Sequence, residues 1–278
     1  GMEYNEFYPV SRLGGISCKG TTLRERRGNP SPRIAETPAG MLNSVGLQNP
    51  GVDMFLNTYL PWLKQQDTVV IANLAGHSVE EYAAMAERLD DSGVDMVELN
   101  ISCPNVREGG VNFGTSCDMV GRVTREVRER CRKPLMVKLT PNVTDIGEIA
   151  AAAEAAGADC ISLINTLTGM RIDIKSRRPI LHNNTGGLSG PAVFPVAVRM
   201  VRDVYRRVSV PVVGMGGIAT WEDAAEMMIA GAAAVQVGAA NFRDPFAMVK
   251  IIDGLTAYAG QAGLSSITEL TGTLREWE

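Results

Sequence analysis

The feature that most constrains this chain is a repeated change of hydrophobic period. From about residue 15 onward, short apolar runs rich in β-formers alternate with longer amphipathic stretches. The runs fall at 15–20, 69–75, 96–102, 135–140, 160–165, 212–216 and 234–238, and amphipathic stretches at 79–91, 119–132, 145–156 and 221–230 lie between them. Two helix starts carry capping-box spacing, Ser78 with Glu81 and Thr220 with Asp223. Three helix ends share a small-residue pattern: SGVD at 92–95, AGAD at 156–159 and AGAA at 230–233. In each, a glycine suits the left-handed position after a helix, and a strand follows within a few residues. Strands that alternate with helices and are buried on both sides mean a parallel sheet. The fold expected is a (β/α)8 (TIM-type) barrel in a single domain over 1–278, a length that suits one barrel of about 250 residues.

The runs number seven, where such a barrel needs eight. Residues 3–13 read as a short helix or loop, so the run at 15–20 stands where a second strand belongs. Gly1-Met2 resembles the remnant of a cleaved tag followed by a start methionine. The expectation is therefore a seven-stranded, imperfectly closed barrel without its first strand.

Composition excludes several classes of function. A formal net charge of −4 gives no reason to expect nucleic acid or an anionic membrane as partner. No run approaches the roughly 20 apolar residues of a membrane span, and no signal peptide is evident. The five cysteines lack C-x-x-C spacing and nearby histidines, which argues against a metal site or a disulfide framework and for a reducing cytoplasm. With only His77 and His182, both read as structural, histidine catalysis starts poorly supported.

In a barrel the reacting groups project from the C-terminal ends of the strands. Those ends carry Lys19, the sequence Asn100-Ile101-Ser102-Cys103-Pro104-Asn105, Lys138, and Asn165-Thr166. Lys138 lies within LMVKLTP, where an unpaired ammonium is costly to bury. It either pairs with a neighbouring acid or faces a bound anion, and the second lysine at 19 favours the anion. Cys103 is either an inert small hydrophobe or a thiolate base whose pKa is lowered by nearby lysines; spacing leaves both open. Glycines cluster at 186–190, 214–217 and 238. Bare backbone amides in the last two βα turns mark a phosphate site in such barrels. With no G-x-G-x-x-G after a strand, FMN fits better than NAD as the bound cofactor. The basic stretch at 171–178 reads as a solvated part of a long loop, Met227 and Met228 as an ordinary helix face, and Asp90-Asp91 as an exposed helix end.

Together these motifs resemble the dihydroorotate dehydrogenases. The likeness is carried by CKGTTLRERRGNPSPRIAETPAGMLNSVGLQNPG (18–51), ELNISCPNV (98–106), VKLTPNV (137–143), INTLTGMRID (164–173), NTGGLSGPA (184–192) and GMGGI (214–218). The resemblance implies that Cys103 removes the C5 proton of dihydroorotate while C6 gives hydride to flavin N5. It implies a substrate site of Lys19, Asn43, Val45, Gly46, Leu47, Asn100, Asn105, Asn165 and Thr166. For FMN it implies Lys19, Asn73, Asn100, Lys138 and Ile164 near the ring, with Gly190, Gly216, Gly217, Gly238 and Ala239 about the phosphate and ribityl chain.

A cysteine base is similar to the soluble class. IANLAG, TLTGMRIDI and TGGLSGPA resemble its NAD-linked branch, in which a separate iron–sulfur, FAD-containing subunit passes electrons to NAD; the fumarate-linked branch is the alternative. A homodimer is expected from the same likeness. The other readings are an FMN oxidoreductase acting on another dihydropyrimidine, and a truncated barrel with neither flavin nor activity, since the family's first strand contributes to the flavin site.

Overall fold

The computed structural model describes residues 1–101, 107–108 and 111–277. All seven expected strands form: β1 (Gly15–Ser17), β2 (Val69–Leu74), β3 (Met96–Asn100), β4 (Leu135–Lys138), β5 (Cys160–Leu163), β6 (Val212–Met215) and β7 (Ala234–Gln236). They pair in chain order as one parallel sheet. Helices α1 (Val79–Asp90), α2 (Cys117–Arg130), α3 (Ile146–Ala155), α4 (Phe194–Tyr205), α5 (Trp221–Ala230) and α6 (Ala247–Ala262) complete the α/β alternation. None of the described helices is long and apolar enough to cross a membrane.

The pleat decides what each strand buries. One face presents Val70, Val97, Leu99, Val137 and Ile161 to the helices, and all five are fully buried. The other face presents Val69, Ile71, Met96, Met136, Cys160 and Val213, which line a cavity of about 1530 Å³. Burial on both faces, as the alternation suggests, holds in the middle of the sheet, where Glu98, Met136 and Ser162 are buried on the inner side as well; toward the edges, at Val69 and Ala234, the inner side is exposed. Residues of both edge strands, Gly15 and Ala234, line the same cavity, so the sheet is curled. Among the described residues β1 pairs only with β2 and β7 only with β6, leaving the wall open between them. Near this opening the N-terminal segment reaches α6: Phe7 and Tyr8 pack on Phe246, and Arg12 pairs with Asp253.

Local signals are realised unevenly. Thr220 and Asp223 form the reciprocal capping box. Ser78 Oγ accepts from Glu81 N–H, but the Glu81 carboxylate accepts from His77 N–H, one residue short of the expected reciprocal bond. Gly157 and Gly231 take positive φ after their helices, whereas Gly93 does not. After the glycine cluster at 186–190 the chain makes a 3₁₀ turn, Pro191–Val193, and only then the helix Phe194–Tyr205. Replacing Thr220 by alanine is expected to lower stability by about 1 kcal/mol, read as a drop in melting temperature, because Asp223 N–H loses its acceptor, Thr220 Oγ1.

The long loop after β5 is not a plain loop. Strands Leu167–Gly169 and Gly186–Ser189 join Ile34–Thr37 and Gly40–Asn43 in a four-stranded antiparallel sheet. Within the same loop, Ile172–Asp173 pairs with Arg178–Pro179. The basic stretch is exposed as expected, but it is an ordered hairpin. The antiparallel sheet brings strands from two distant segments together beside the cavity, whose lining includes Met41 and Leu188.

Candidate active site

The strand ends converge as the barrel geometry requires. Lys19, Asn73, Asn100, Lys138, Ile164, Asn165 and Thr166 all line the one cavity, from five different strands or the turns after them. In register, Asn100 lies beside Lys138, and Lys138 beside Ser162. Gly190, Gly216, Gly217, Gly238 and Ala239 line it too. Gly190, Gly216 and Gly217 have φ of 100°, 122° and 80°, a region that L side chains rarely adopt. At Gly238 an added Cβ would meet nothing within 4 Å, so bare backbone there faces free space.

Not every expected residue reaches the cavity. Asn43, Val45 and Gly46 do not line it, while Leu47 does. Asn43 is held in register between Gly187 and Ile34. Val45 accepts at its carbonyl from Asn29 N–H, and Asn29 Nδ2 donates to the Ser44 carbonyl. Gly46, at φ 77°, sits against the Asn29 side chain, where a Cβ would approach Cγ to 2.6 Å. Asn49 braces the other end of this loop, donating to the Leu47 carbonyl and accepting from Thr22 and Gly51 N–H. The motifs GNPSPR and NSVGLQNPG therefore build a rigid support that presents Leu47. Cys103 and Asn105 lie outside the described residues.

Thr166 is set by Asn142, which the sequence reading did not single out, and by Gly187 of the glycine cluster. Asn142 Nδ2 donates to the Thr166 carbonyl at 2.9 Å, and Asn142 Oδ1 accepts from Thr168 N–H. Gly187 packs so closely that a Cβ there would lie 2.0 Å from Thr166 Oγ1. Gly187→Ala is accordingly expected to cost about 1–3 kcal/mol by overpacking and to push Thr166 out of place. A thermal melt reads the first effect, and weakened orotate binding the second.

The larger omission is Glu98. It is fully buried in the middle of β3, and its carboxylate accepts from Ser17 Oγ (2.8 Å), Asn73 Nδ2 (2.6 Å), Ser162 Oγ (2.9 Å) and Gln236 Nε2 (3.2 Å). Burial pushes its carboxyl up, but the Lys138 ammonium and the bonds from Ser17, Asn73 and Ser162 outweigh that and hold it below the ordinary value. The signal was legible: an acid inside MVELN interrupts an apolar strand just as Lys138 interrupts LMVKL. The two readings of Lys138 are thus compatible, since it lines the cavity and also has a buried acid in its field.

Two other thiols border the cavity. Burial pushes Cys18 up to about 11; burial, with the charges of Glu98 and Asp159, pushes Cys160 up to about 12. Both are protonated thiols at neutral pH, unsuited to accept a proton.

Comparison with known proteins agrees with this arrangement. The family model described as dihydroorotate dehydrogenase matches residues 1–258. Three similar proteins, from Alkaliphilus oremlandii, Geobacillus kaustophilus and Bacillus cereus, are each named dihydroorotate dehydrogenase B (NAD(+)), catalytic subunit. The first is 56% identical over 274 residues, covering 99% of this chain and 91% of its own length. The second and third are 54% and 52% identical over 279 residues, covering all of this chain and 88% and 90% of theirs. With a family-model match over residues 1–258 and relatives more than half identical over nearly its whole length, the chain belongs to the dihydroorotate dehydrogenase family.

Proposed function

We propose that this chain oxidises dihydroorotate to orotate, with FMN as its resident cofactor and the whole chain serving as one FMN-binding unit. The observation that carries the reading is the convergence of Lys19, Lys138, Asn73, Asn100 and Asn165 from the strand ends on a cavity that Gly190, Gly216, Gly217 and Gly238 also line. Gly238 leaves room for a group to approach the chain, and the amides around Gly216 and Gly217 suit a phosphate. The residues present therefore fit FMN.

Bound FMN would supply the hydride acceptor, its N5, for the hydrogen leaving C6 of dihydroorotate. Cys103, as thiolate, takes the C5 proton, so that substrate loses one hydride and one proton and becomes orotate. Cys18 and Cys160 are excluded from that task by their raised pKa values. Lys19 holds the substrate carboxylate, and Asn100, Asn105, Asn165 and Thr166 its ring amides, with Asn43, Val45, Gly46 and Leu47 bracing or bordering the ring. Lys138 provides fixed positive charge where negative charge develops during hydride transfer, which is worth more in a site shielded from water. Asn73 and Ile164 would lie beside the flavin ring.

The names of the relatives carry NAD(+) and the designation catalytic subunit. We read this chain likewise as delivering electrons to NAD through a separate iron–sulfur, FAD-containing subunit, in a cytoplasmic homodimer-based assembly. The open wall between β1 and β7 favours a second reading in which flavin is held weakly.

A visible spectrum of the purified chain, followed by anaerobic dihydroorotate, separates these readings. Flavin bands that bleach with dihydroorotate but not dihydrouracil, and that orotate protects, support the assignment. Bleaching by dihydrouracil alone would overturn the choice of substrate. A colourless protein that takes up no added FMN would overturn the cofactor.

A further inference from the structure

Nothing in the proposed chemistry uses Glu98, yet few residues are tied to as much of the fold. Its donors come from β1, β2, β5 and β7, so one carboxylate spans the inner face of the sheet and reaches both edge strands. A carboxylate is acceptor-only. Asn73 must therefore turn its Nδ2 toward Glu98, because the flipped amide would set oxygen against oxygen. That choice points Asn73 Oδ1 the other way, where Asn100 Nδ2 donates to it at 3.5 Å. The direction of two amides at the cavity is thus dictated from below. Ser162, which donates to Glu98, is also the register partner of Lys138 on the neighbouring strand.

We propose that Glu98 is a positioning residue for this site: it fixes the amide orientation of Asn73, and through it Asn100, and its charge holds the Lys138 ammonium at the cavity. Its bearing on orotate rests on the functional reading above; its coupling to Lys138 does not. The charged and titratable groups that share its field are Lys138 on β4 and Cys160 on β5, and the thiol stays protonated.

The test compares Glu98→Gln, Lys138→Met and the double variant. In flavin-free protein unfolded by urea, each single change should lower the folding constant. The double should lose at least tenfold less than the product of the singles, as expected for two groups that act as a unit. Losses that multiply to within twofold would overturn the proposal. In protein loaded with FMN, the flavin midpoint potential should rise in Glu98→Gln, which removes a negative charge, and fall in Lys138→Met. Shifts of the same sign, or none, would also overturn it, and a merely structural role predicts no such opposition.

Should Glu98→Gln fail to fold, Glu98→Asp keeps the charge and withdraws the oxygens from Asn73. Orotate affinity should then fall at least fivefold with the potential unchanged, and unaltered affinity would refute the positioning role. Wild-type flavin that dihydroorotate does not bleach would end the functional reading while leaving the Glu98–Lys138 coupling standing.

Discussion

Cys103→Ala is expected to slow dihydroorotate oxidation by about 10²–10⁴-fold at neutral pH, the range for loss of a positioned base. No neighbouring thiol can take over, because Cys18 and Cys160 border the cavity but are held protonated. Anaerobic stopped-flow of flavin bleaching measures the effect directly. Wild-type enzyme should show a rate that rises with pH as the thiol ionises, and the alanine variant should lose that limb. Cys103→Ser gives the complementary result: a hydroxyl ionises far above neutral pH, so activity should stay low at pH 7 and recover in part as pH rises. An alanine variant with the wild-type rate and pH profile would move the base elsewhere.

Lys138→Met should carry two penalties. Removing the fixed charge that balances the developing anion is expected to cost about 10²–10³ in the rate of hydride transfer. It also leaves the fully buried Glu98 without the ammonium that favours its ionised form. Lys138 acts on Glu98 through its field rather than through a direct ion pair, and it is half-exposed, so the loss of stability should stay well below the roughly 3–5 kcal/mol of a broken buried pair. In the wild-type protein the lowered Glu98 pKa contributes stability that is complete above the ordinary carboxylate value of about 4.3 and is lost as pH falls through the folded value. Without Lys138 the opposing effect of burial gains weight and the folded value rises. The variant should therefore weaken from a higher pH than wild type, as read by urea unfolding across about pH 4 to 8. Parallel pH profiles for the two proteins would show that Lys138 does not stabilise the Glu98 charge.

The seven parallel strands were legible as short apolar runs, several of them entered through a small-residue turn after a helix. The antiparallel sheet was not. Its strand Ile34–Thr37 is exposed or half-exposed throughout, Gly186–Ser189 opens on two glycines, and the register linking Asn43 to Gly187 spans about half of the chain. Neither β-branched density nor alternation marks such strands, and only tertiary pairing creates them. At the site, Lys19, Lys138 and the glycine turns were legible from their place at strand ends. Asn43, Val45 and Gly46 were drawn in with the motif that holds them, although only Leu47 of that loop reaches the cavity. Asn142 escaped notice because it acts through Thr166, which no spacing rule reports, whereas Glu98 was passed over although an acid inside MVELN marks it.

A ring with one link open has an order of unravelling that a closed ring lacks. Amides of β1 and β7 each have a strand on one flank only, whereas β3 and β4 are held on both. Hydrogen exchange across the sheet should therefore run as a gradient, fastest at Ile16 and Val235 and slowest at Leu99 and Val137. Glu98 bonds to Ser17 and Gln236, one on each of the two fast-exchanging flanks. Opening at either flank would thus take a donor from the carboxylate beneath Asn73, so the breathing of the wall is expected to loosen the site with it.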